Sequence, residues 1–112
     1  MTDTDPCARQ VTWGDSTYPL NLNHPWVRRV LSFRGLPGHN GNSPTACIAR
    51  FENGTSSIED VERVLELGLI GAGMSERDAE QLLDRHVRNK PIGDNAGHAG
   101  GLLVALYVGT PQ

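Results

Sequence analysis

The sequence predicts an α+β protein that is mostly α, with an N-terminal β-hairpin followed by four to five short helices around a central αα-hairpin. Three observations support this prediction. Apolar residues alternate on both sides of a Gly14-Asp15 pair, as expected for a hairpin. Residues 55–87 repeat apolar side chains at helical spacing on both sides of a glycine-containing turn. The remaining segments are short and divided by Gly, Pro and Asn.

The chain has 112 residues, which is enough for one domain with a modest core. We expect that domain at residues 10–109, with disordered tails at 1–9 and 110–112. Only 38% of the residues are hydrophobic, and there are 13 glycines and 7 prolines. A stable centre with looser segments around it is therefore expected.

The predicted hairpin spans residues 10–22. Every second residue on each side of its turn is apolar: Val11, Trp13, Tyr18, Leu20 and Leu22. Pro19 has no N–H for a strand ladder, so the second strand is expected at the edge of a sheet. Two strands alone are marginally stable, so the hairpin must pack on the helices or pair with another subunit.

A short helix is predicted next, with Asn23 as its N-cap, Pro25 in its first turn and Gly35 at its end. One of its faces is apolar and consists of Trp26, Val27, Val30 and Leu31. Residues 36–42 are rich in Gly, Pro and Asn and are predicted to form a loop.

A second short helix is predicted from Ser43-Pro44 to Asn53-Gly54, where glycine permits a left-handed C-cap. Its apolar positions are Ala46, Cys47, Ile48 and Phe51. Cys47 is therefore expected to be a small buried hydrophobe and not a nucleophile. The N-terminus lacks the features of an export signal, so both cysteines are expected to be free thiols in a reducing cytosol.

The central αα-hairpin has the strongest signals. Ser56 and Glu59 have the spacing of a capping box at the start of its first helix. Gly71 and Gly73 then mark the turn, and Ser75 caps the second helix. The two apolar stripes are Val61, Val64, Leu65, Gly68 and Leu69 on the first helix, and Ala79, Leu82, Leu83, His86 and Val87 on the second.

Residues 91–108 could form a helix or a buried strand, and we favour a helix, capped by Asp94 or Asn95. Its apolar face would consist of Ala96, Ala99, Leu102, Leu103, Leu106 and Tyr107. Three internal glycines, each costing about 1 kcal/mol relative to alanine, mean that it should hold only when packed. It could order late, or on binding a partner.

No catalytic residue, cofactor or metal site is predicted. No two histidines have i, i+4 spacing and neither cysteine lies in a CxxC pair, so a zinc site is not indicated. The glycine-rich residues 35–42 lack the Lys-Ser/Thr of a phosphate loop. The carboxylates of the central helix are expected to be solvated and not a general acid/base pair; they are Glu59, Asp60, Glu62 and Glu66.

Two basic clusters leave a small nucleic-acid-binding regulator as the alternative function. They are Arg28, Arg29 and Arg34, beside Trp26, and Arg85, Arg88 and Lys90. Against this alternative, the net charge of -3 gives no bulk attraction to nucleic acid or to anionic membranes. No apolar run approaches the roughly 20 residues needed to span a bilayer. Neither nucleic acid nor a membrane is an expected partner.

Residues 51–91 resemble the family of small tail proteins encoded in gene transfer agents and related prophages. The order and spacing of individually weak motifs carry the resemblance, which extends more loosely over residues 11–109. The matching residues are Gly54, Ser57, Asp60, Val64, Leu65, Gly68, Leu69, Gly71, Gly73, Ala79, Leu83, Asp84, His86, Val87 and Pro91. The loop at 36–43 is longer than usual for the family, and the last helix has glycine where the family favours alanine.

The resemblance implies a non-enzymatic role in phage-type tail assembly, as a tail-assembly chaperone or as a tail tube or minor tail component. The implied partners are phage tail proteins, either tape-measure or tail tube, and a homo-oligomer is an open alternative. The implied location is the cytoplasm of the bacterial host or the virion. A chaperone would hold a helical tape-measure protein in apolar grooves. A tube subunit would pair sheet edges in a ring and would need more strand than is predicted, which favours the chaperone.

Seven apolar residues are predicted to line the interaction surface: Trp26, Val30, Leu69, Ile70, Leu103, Leu106 and Tyr107. Leu69 and Ile70 adjoin the turn of the central αα-hairpin and cannot both face a single core stripe. Core packing is the alternative interpretation of all seven side chains.

Overall fold

The computed structural model describes residues 7–14, 16–33, 43–88 and 90–109. These residues form two strands and five helices: β1 (Ala8–Trp13), β2 (Ser16–Asn21), α1 (Pro25–Phe33), α2 (Pro44–Asn53), α3 (Ile58–Gly71), α4 (Glu76–His86) and α5 (Gly93–Val108). The predicted α+β, mostly α fold is confirmed, and so is the helix in the last segment. The predicted end of the first helix at Gly35 and the loop at 36–42 lie outside the described residues.

The two strands form an antiparallel hairpin whose register pairs Ala8 with Asn21 and Trp13 with Ser16. Gly14 begins the turn with φ 61°, a conformation that glycine adopts without steric cost. β1 begins at Ala8, inside the segment predicted as a tail. The alternating apolar residues face the helices, and Val11, Leu20 and Leu22 are completely buried. The hairpin is thus stabilised by the helices of its own chain.

Helix α3 is the central element, since it contacts the hairpin, α1, α4 and α5. Its predicted stripe is buried, and Leu67, which the stripe did not include, is buried as well. The core continues through α4 and α5, with these completely or almost completely buried side chains: Ala79, Leu82, Leu83, Val87, Ala99, Leu102 and Leu103. The predicted αα-hairpin of α3 and α4 is therefore confirmed.

Two glycines of α3 allow β2 to lie directly on the helix. A Cβ on Gly71 would overlap the carbonyl oxygen of Asn21, and one on Gly68 would lie 3.1 Å from the Cβ of Leu20. The prediction that Gly71 forms the turn is wrong, because Gly71 is the last residue of α3. Gly73, with φ 108°, makes the turn instead.

Helix α3 begins one residue later than predicted. The hydroxyl of Ser57 accepts the N–H of Asp60 and the carboxylate of Asp60 accepts the N–H of Ser57, which is a complete capping box. The capping box predicted from Ser56 and Glu59 is therefore wrong. Helix α4 is capped as predicted, because the Oγ of Ser75 accepts the N–H of Asp78.

Asp60 is completely buried, so the prediction that all the carboxylates of α3 are solvated is wrong for this residue. Its partner is Arg50 of α2, which is also buried. Burial alone would raise the pKa of Asp60, but the bonds from Arg50 and Ser57 outweigh burial and hold that pKa below its usual value. The carboxylate therefore stays ionised inside the protein.

The predicted N-caps of α1 and α5 are also wrong. In α1 the Nδ1 of His24 accepts the N–H of Trp26 at 3.1 Å, while Asn23 accepts a bond from Arg28, so His24 is the cap. Helix α5 begins at Gly93 without a side-chain cap, and neither of its predicted caps, Asp94 and Asn95, has that role.

Helix α2 has the predicted ends. The Oγ of Ser43 accepts the N–H of Ala46, and Gly54 closes the helix with φ 72°. Cys47 on α2 is completely buried, as predicted. Neither Cys47 nor the partly buried Cys7 forms a disulfide.

Candidate interaction surface

A shallow groove of about 380 Å³ runs between α2 and α5. Thr45 near the start of α2 bonds Tyr107 near the end of α5, whereas Phe51 near the end of α2 lies beside Gly100, so the two helices are antiparallel. We call this cleft the α2–α5 groove, and its lining residues are Ile48, Phe51, Glu52, Gly54, Ser56, Ala96, Gly97, Gly100 and Val104. Glu52 is the only charged residue among these lining residues.

The floor of the groove is open because α5 carries glycines there. A Cβ on Gly97 would meet no atom within 4 Å, and one on Gly100 would only touch Phe51 at 3.5 Å. Further along the same face, Val104 is 44% exposed and Val108 is 79% exposed. Residues 97–108 contain no Asp, Glu, Lys or Arg. This face of α5 is therefore a smooth apolar surface in contact with solvent.

A second hollow, of about 370 Å³, lies between α1 and α5. Its lining residues are Arg28, Leu31, Ser32, Leu106 and Tyr107. Tyr107 is 52% exposed, and its hydroxyl lies 2.8 Å from the Oγ1 of Thr45. The ring of Tyr107 therefore lies where α2 begins and α5 ends, beyond the Val104 end of the α2–α5 groove.

The seven predicted interaction residues occupy three kinds of position. Leu69 and Leu103 are 1% and 0% exposed and lie in the core, so they do not line a surface of the folded chain. Val30, Ile70 and Leu106 are partly buried against the core. Trp26 and Tyr107 are exposed. The α1–α5 hollow brings together two of the seven, Leu106 and Tyr107.

Sequence reasoning missed the residues that form the α2–α5 groove. The sequence pattern places Ile48 and Phe51 on an apolar helical face without indicating a partner for it, and it predicts no role for Val104. A signal was present, because Gly97 and Val104 are seven residues apart and therefore share one face of a helix. The sequence alone does not show how α5 packs, so it could not indicate that this face is exposed to solvent.

A third cavity, of about 400 Å³, lies between the hairpin and the start of α5 and has both polar and apolar lining residues. The ring of His86 stacks on Trp13 there, with centroids 5.5 Å apart and 8° between the planes. Burial and the nearby charges of Arg85 and Lys90 lower the pKa of His86. Among the described residues, no group of His, Cys, Asp and Glu side chains is arranged to hold a metal ion.

Two of the basic residues predicted as a possible phosphate-binding surface bond other side chains of the same chain. Arg88 bonds three carboxylates, those of Glu62, Glu80 and Asp84, at 2.7–3.1 Å. These bonds raise the pKa of Arg88 and largely neutralise its charge at the surface. In the first cluster Arg34 lies outside the described residues, and Arg28 bonds Asn23. The carboxylates around Arg88 therefore weaken the second cluster as a phosphate-binding surface.

The fold and its surface define a mostly helical protein with an exposed apolar groove between two of its helices. A family model described as phage tail tube protein, GTA-gp10, matches residues 7–109, and the chain belongs to this family. The predicted resemblance to small tail proteins of gene transfer agents is thereby confirmed, and the family indicates a structural or assembly role in a phage tail. No curated protein and no solved structure gives a significant match. No helix in the described part of the chain is long and apolar enough to cross a bilayer.

Proposed function

We propose that this chain is a non-enzymatic tail-assembly chaperone, or a minor tail component, that acts by binding a longer helical tail protein. One observation supports this proposal most directly: the described residues place an uncovered apolar groove between two helices, α2 and α5. Grooves of this kind take up the apolar face of an amphipathic helix. A long tail protein awaiting assembly exposes many such faces, and covering them would keep it soluble.

The hairpin is poorly suited to the alternative role of a ring-forming tube subunit, which the family description suggests. In the described residues β1 and β2 pair only with each other. Pro19 lies inside β2 and leaves that strand one N–H short, which weakens it as a template for a further strand. A tube built from strand pairing would need longer and more regular edges than these.

Two aromatic side chains outside the α2–α5 groove are also exposed. Trp26 is 38% exposed and Tyr107 is 52% exposed. Aromatic residues are enriched at the centres of protein interfaces and often dominate their binding energy. Both residues were predicted from the sequence to contact a partner, and both are free to do so in the folded chain.

The test is to co-express the tagged chain with the long helical tail protein encoded beside it, and to analyse the purified material by size and by electron microscopy. We expect a soluble complex of the two proteins without rings, and a small species when the chain is expressed alone. Tyr107→Ala should reduce recovery of the partner, whereas Tyr107→Phe, which keeps the ring and removes the hydroxyl, should largely retain it. Rings or tubes formed by the chain alone would instead establish the tube-subunit role.

A further inference from the structure

We infer that the α2–α5 groove binds one amphipathic helix of the partner protein, and that this helix carries a Lys or Arg where it passes Glu52. The inference rests on the proposed function, because it assigns a site and a recognition chemistry to the same assembly role. It follows from which glycines the fold itself needs, from the length of the groove, and from the position of its charge.

Most of the helical glycines near the core are explained by neighbouring atoms of the same chain. A Cβ on Gly71 would overlap Asn21, one on Gly68 would lie 2.5 Å from Leu102, and one on Gly101 would lie 2.6 Å from Arg9. Gly71 and Gly68 exclude a side chain because the backbone of Asn21 and the Cβ of Leu20 already occupy the space, whereas at Gly101 the end of the flexible Arg9 side chain would have to move.

Gly97 and Gly100 have no comparable internal reason. A Cβ on Gly97 meets nothing within 4 Å, and one on Gly100 makes an ordinary 3.5 Å contact. Each glycine nevertheless costs the helix about 1 kcal/mol relative to alanine. Because the fold gains nothing from them, we assign their role to a group outside the chain that approaches the backbone of α5 at this point.

The exposed apolar face of α5, which lines the groove as far as Val104 and continues to Val108, is long enough for a helix. From Gly97 to Val108 the apolar face of α5 covers eleven residue steps, or about 16 Å. An occupant of about three turns would place three or four apolar side chains along it at i, i+3, i+4 and i+7. Where side chains are absent at the contact, two helix axes can approach at the short end of the usual 8–10 Å range.

The charge in the groove is confined to one end. Glu52 is exposed and lines the groove beside Gly54, at the C-terminal end of α2, where the helix dipole adds partial negative charge. The opposite end, at Val104, is apolar, and the exposed Val108 lies beyond it on the same face of α5. A cation in the occupant would therefore be attracted to one end only, which fixes the direction of the bound helix.

The same distribution of charge argues against a second copy of this chain as the occupant. Residues 93–108 contain no Lys or Arg. If two copies packed through α5, each Glu52 would face an apolar helix without a cation, and burying a carboxylate unpaired is costly. A partner helix with an appropriately placed Lys or Arg avoids that cost.

The test uses fluorescent 20-residue peptides tiled along the co-expressed helical tail protein, with binding to the full chain measured by anisotropy. We expect the binding peptides to be amphipathic with a Lys or Arg at one end. Gly97→Leu, which fills the groove, should weaken the binding of these peptides at least tenfold without lowering the Tm of the protein. Gln81→Leu adds the same side chain at an exposed position on α4 and should leave affinity unchanged. Glu52→Lys should weaken binding, and a peptide with Glu in place of its basic residue should recover it.

The outcomes separate the two proposals. If the tail protein co-purifies with Gly97→Leu as well as with the wild-type chain, the groove assignment is wrong while the assembly role stands. Equal affinity of the peptides for the wild-type chain and for Gly97→Leu would also show that the groove assignment is wrong. A dimer of the wild-type chain that Gly97→Leu dissociates would show that the occupant is a second copy. If neither the tail protein nor any peptide binds the wild-type chain, both the proposed function and this inference fail.

Discussion

Arg50 and Asp60 meet inside the protein in two hydrogen bonds of 2.8 Å, from Nε to Oδ2 and from Nη2 to Oδ1. Their side chains are 3% and 0% exposed. Oδ2 of Asp60 also accepts the N–H of Ser57, so one carboxylate both caps α3 and ties it to α2. The ion pair thereby fixes one wall of the α2–α5 groove relative to the core.

Removing one partner of this pair should be strongly destabilising. Asp60→Ala leaves a buried guanidinium uncompensated, and we expect it to lower the free energy of unfolding by about 3–5 kcal/mol. The double variant Arg50→Met/Asp60→Leu replaces both charges by apolar groups and should recover most of that loss. Urea denaturation measures both. A loss below about 1 kcal/mol for Asp60→Ala would mean that the pair does not support the fold.

The same pair shows where the sequence is informative and where it is not. The helix after residue 57 was predictable, because its apolar spacing is local. The capping residues were not, since Ser56 with Glu59 and Ser57 with Asp60 have the same spacing, and only burial against Arg50 selects the second. A carboxylate is predicted to be solvated by default, and its burial depends on a cation ten residues earlier, on another helix.

The exposure of the seven predicted interaction residues could not be predicted from the sequence, for a similar reason. Tyr107 and Trp26 are large apolar residues whose exposure is visible once the helices are placed. Leu69 and Leu103 look the same in the sequence but lie in the core. Which side of α5 is buried depends on where β1, α2 and α3 pack, and the sequence pattern of α5 is apolar nearly all around.

Asn95 is expected to be important for stability, although the sequence suggested only a cap. Its Oδ1 accepts the Nε1–H of Trp13 at 2.9 Å, and its Nδ2 donates to the carbonyl of His86 at 3.0 Å. Asn95→Ala would leave both groups without these bonds at a buried site and should cost about 1–3 kcal/mol. Urea denaturation in a Trp26→Phe background, where Trp13 is the only tryptophan, measures the loss. Gln81→Ala, at an exposed position, should change stability by less than about 0.5 kcal/mol.

Two glycine substitutions should act in opposite directions. Gly71→Ala places a methyl group against the backbone of Asn21 and should destabilise the protein by at least about 1 kcal/mol. Gly97→Ala adds the same methyl group in open space and should stabilise it by about 0.5–1 kcal/mol. Thermal unfolding of both variants tests this contrast. Destabilisation by Gly97→Ala would show that this glycine is needed by the fold itself.

Cys47 should be unreactive in the native protein. Its side chain is completely buried, and burial, with the charge of Asp60 adding to it, raises the thiol pKa from 9.0 to about 11. That shift lowers the thiolate fraction at pH 8 by about 100-fold. In a Cys7→Ser background, a thiol reagent such as DTNB should therefore label Cys47 only after denaturant is added. Rapid labelling of one thiol in the native state would contradict the placement of α2.

Acid should destabilise the protein through His86 before it affects the carboxylates. Burial, and then the charges of Arg85 and Lys90, lower the pKa of His86 in the folded state. Unfolding returns this pKa to about 6.5, so below that pH the unfolded chain binds more protons than the folded one. The stability contributed by neutral His86 is thus complete above about pH 6.5 and is lost as pH falls through the lower folded value. Denaturation at a series of pH values from 8 to 5 should show this decline.

The control for this effect is His86→Phe, which keeps an aromatic ring against Trp13 and removes the titrating group. Its stability should fall less steeply between pH 7 and 5 than that of the wild-type chain. Part of the slope should remain, because burial and then the charge of Arg9 also lower the pKa of His98, although Asp94 opposes this shift. Adding His98→Phe to the His86→Phe variant should remove the remaining pH dependence of stability. Equal slopes for the wild type and both variants would show that the stack on Trp13 does not depend on a neutral imidazole.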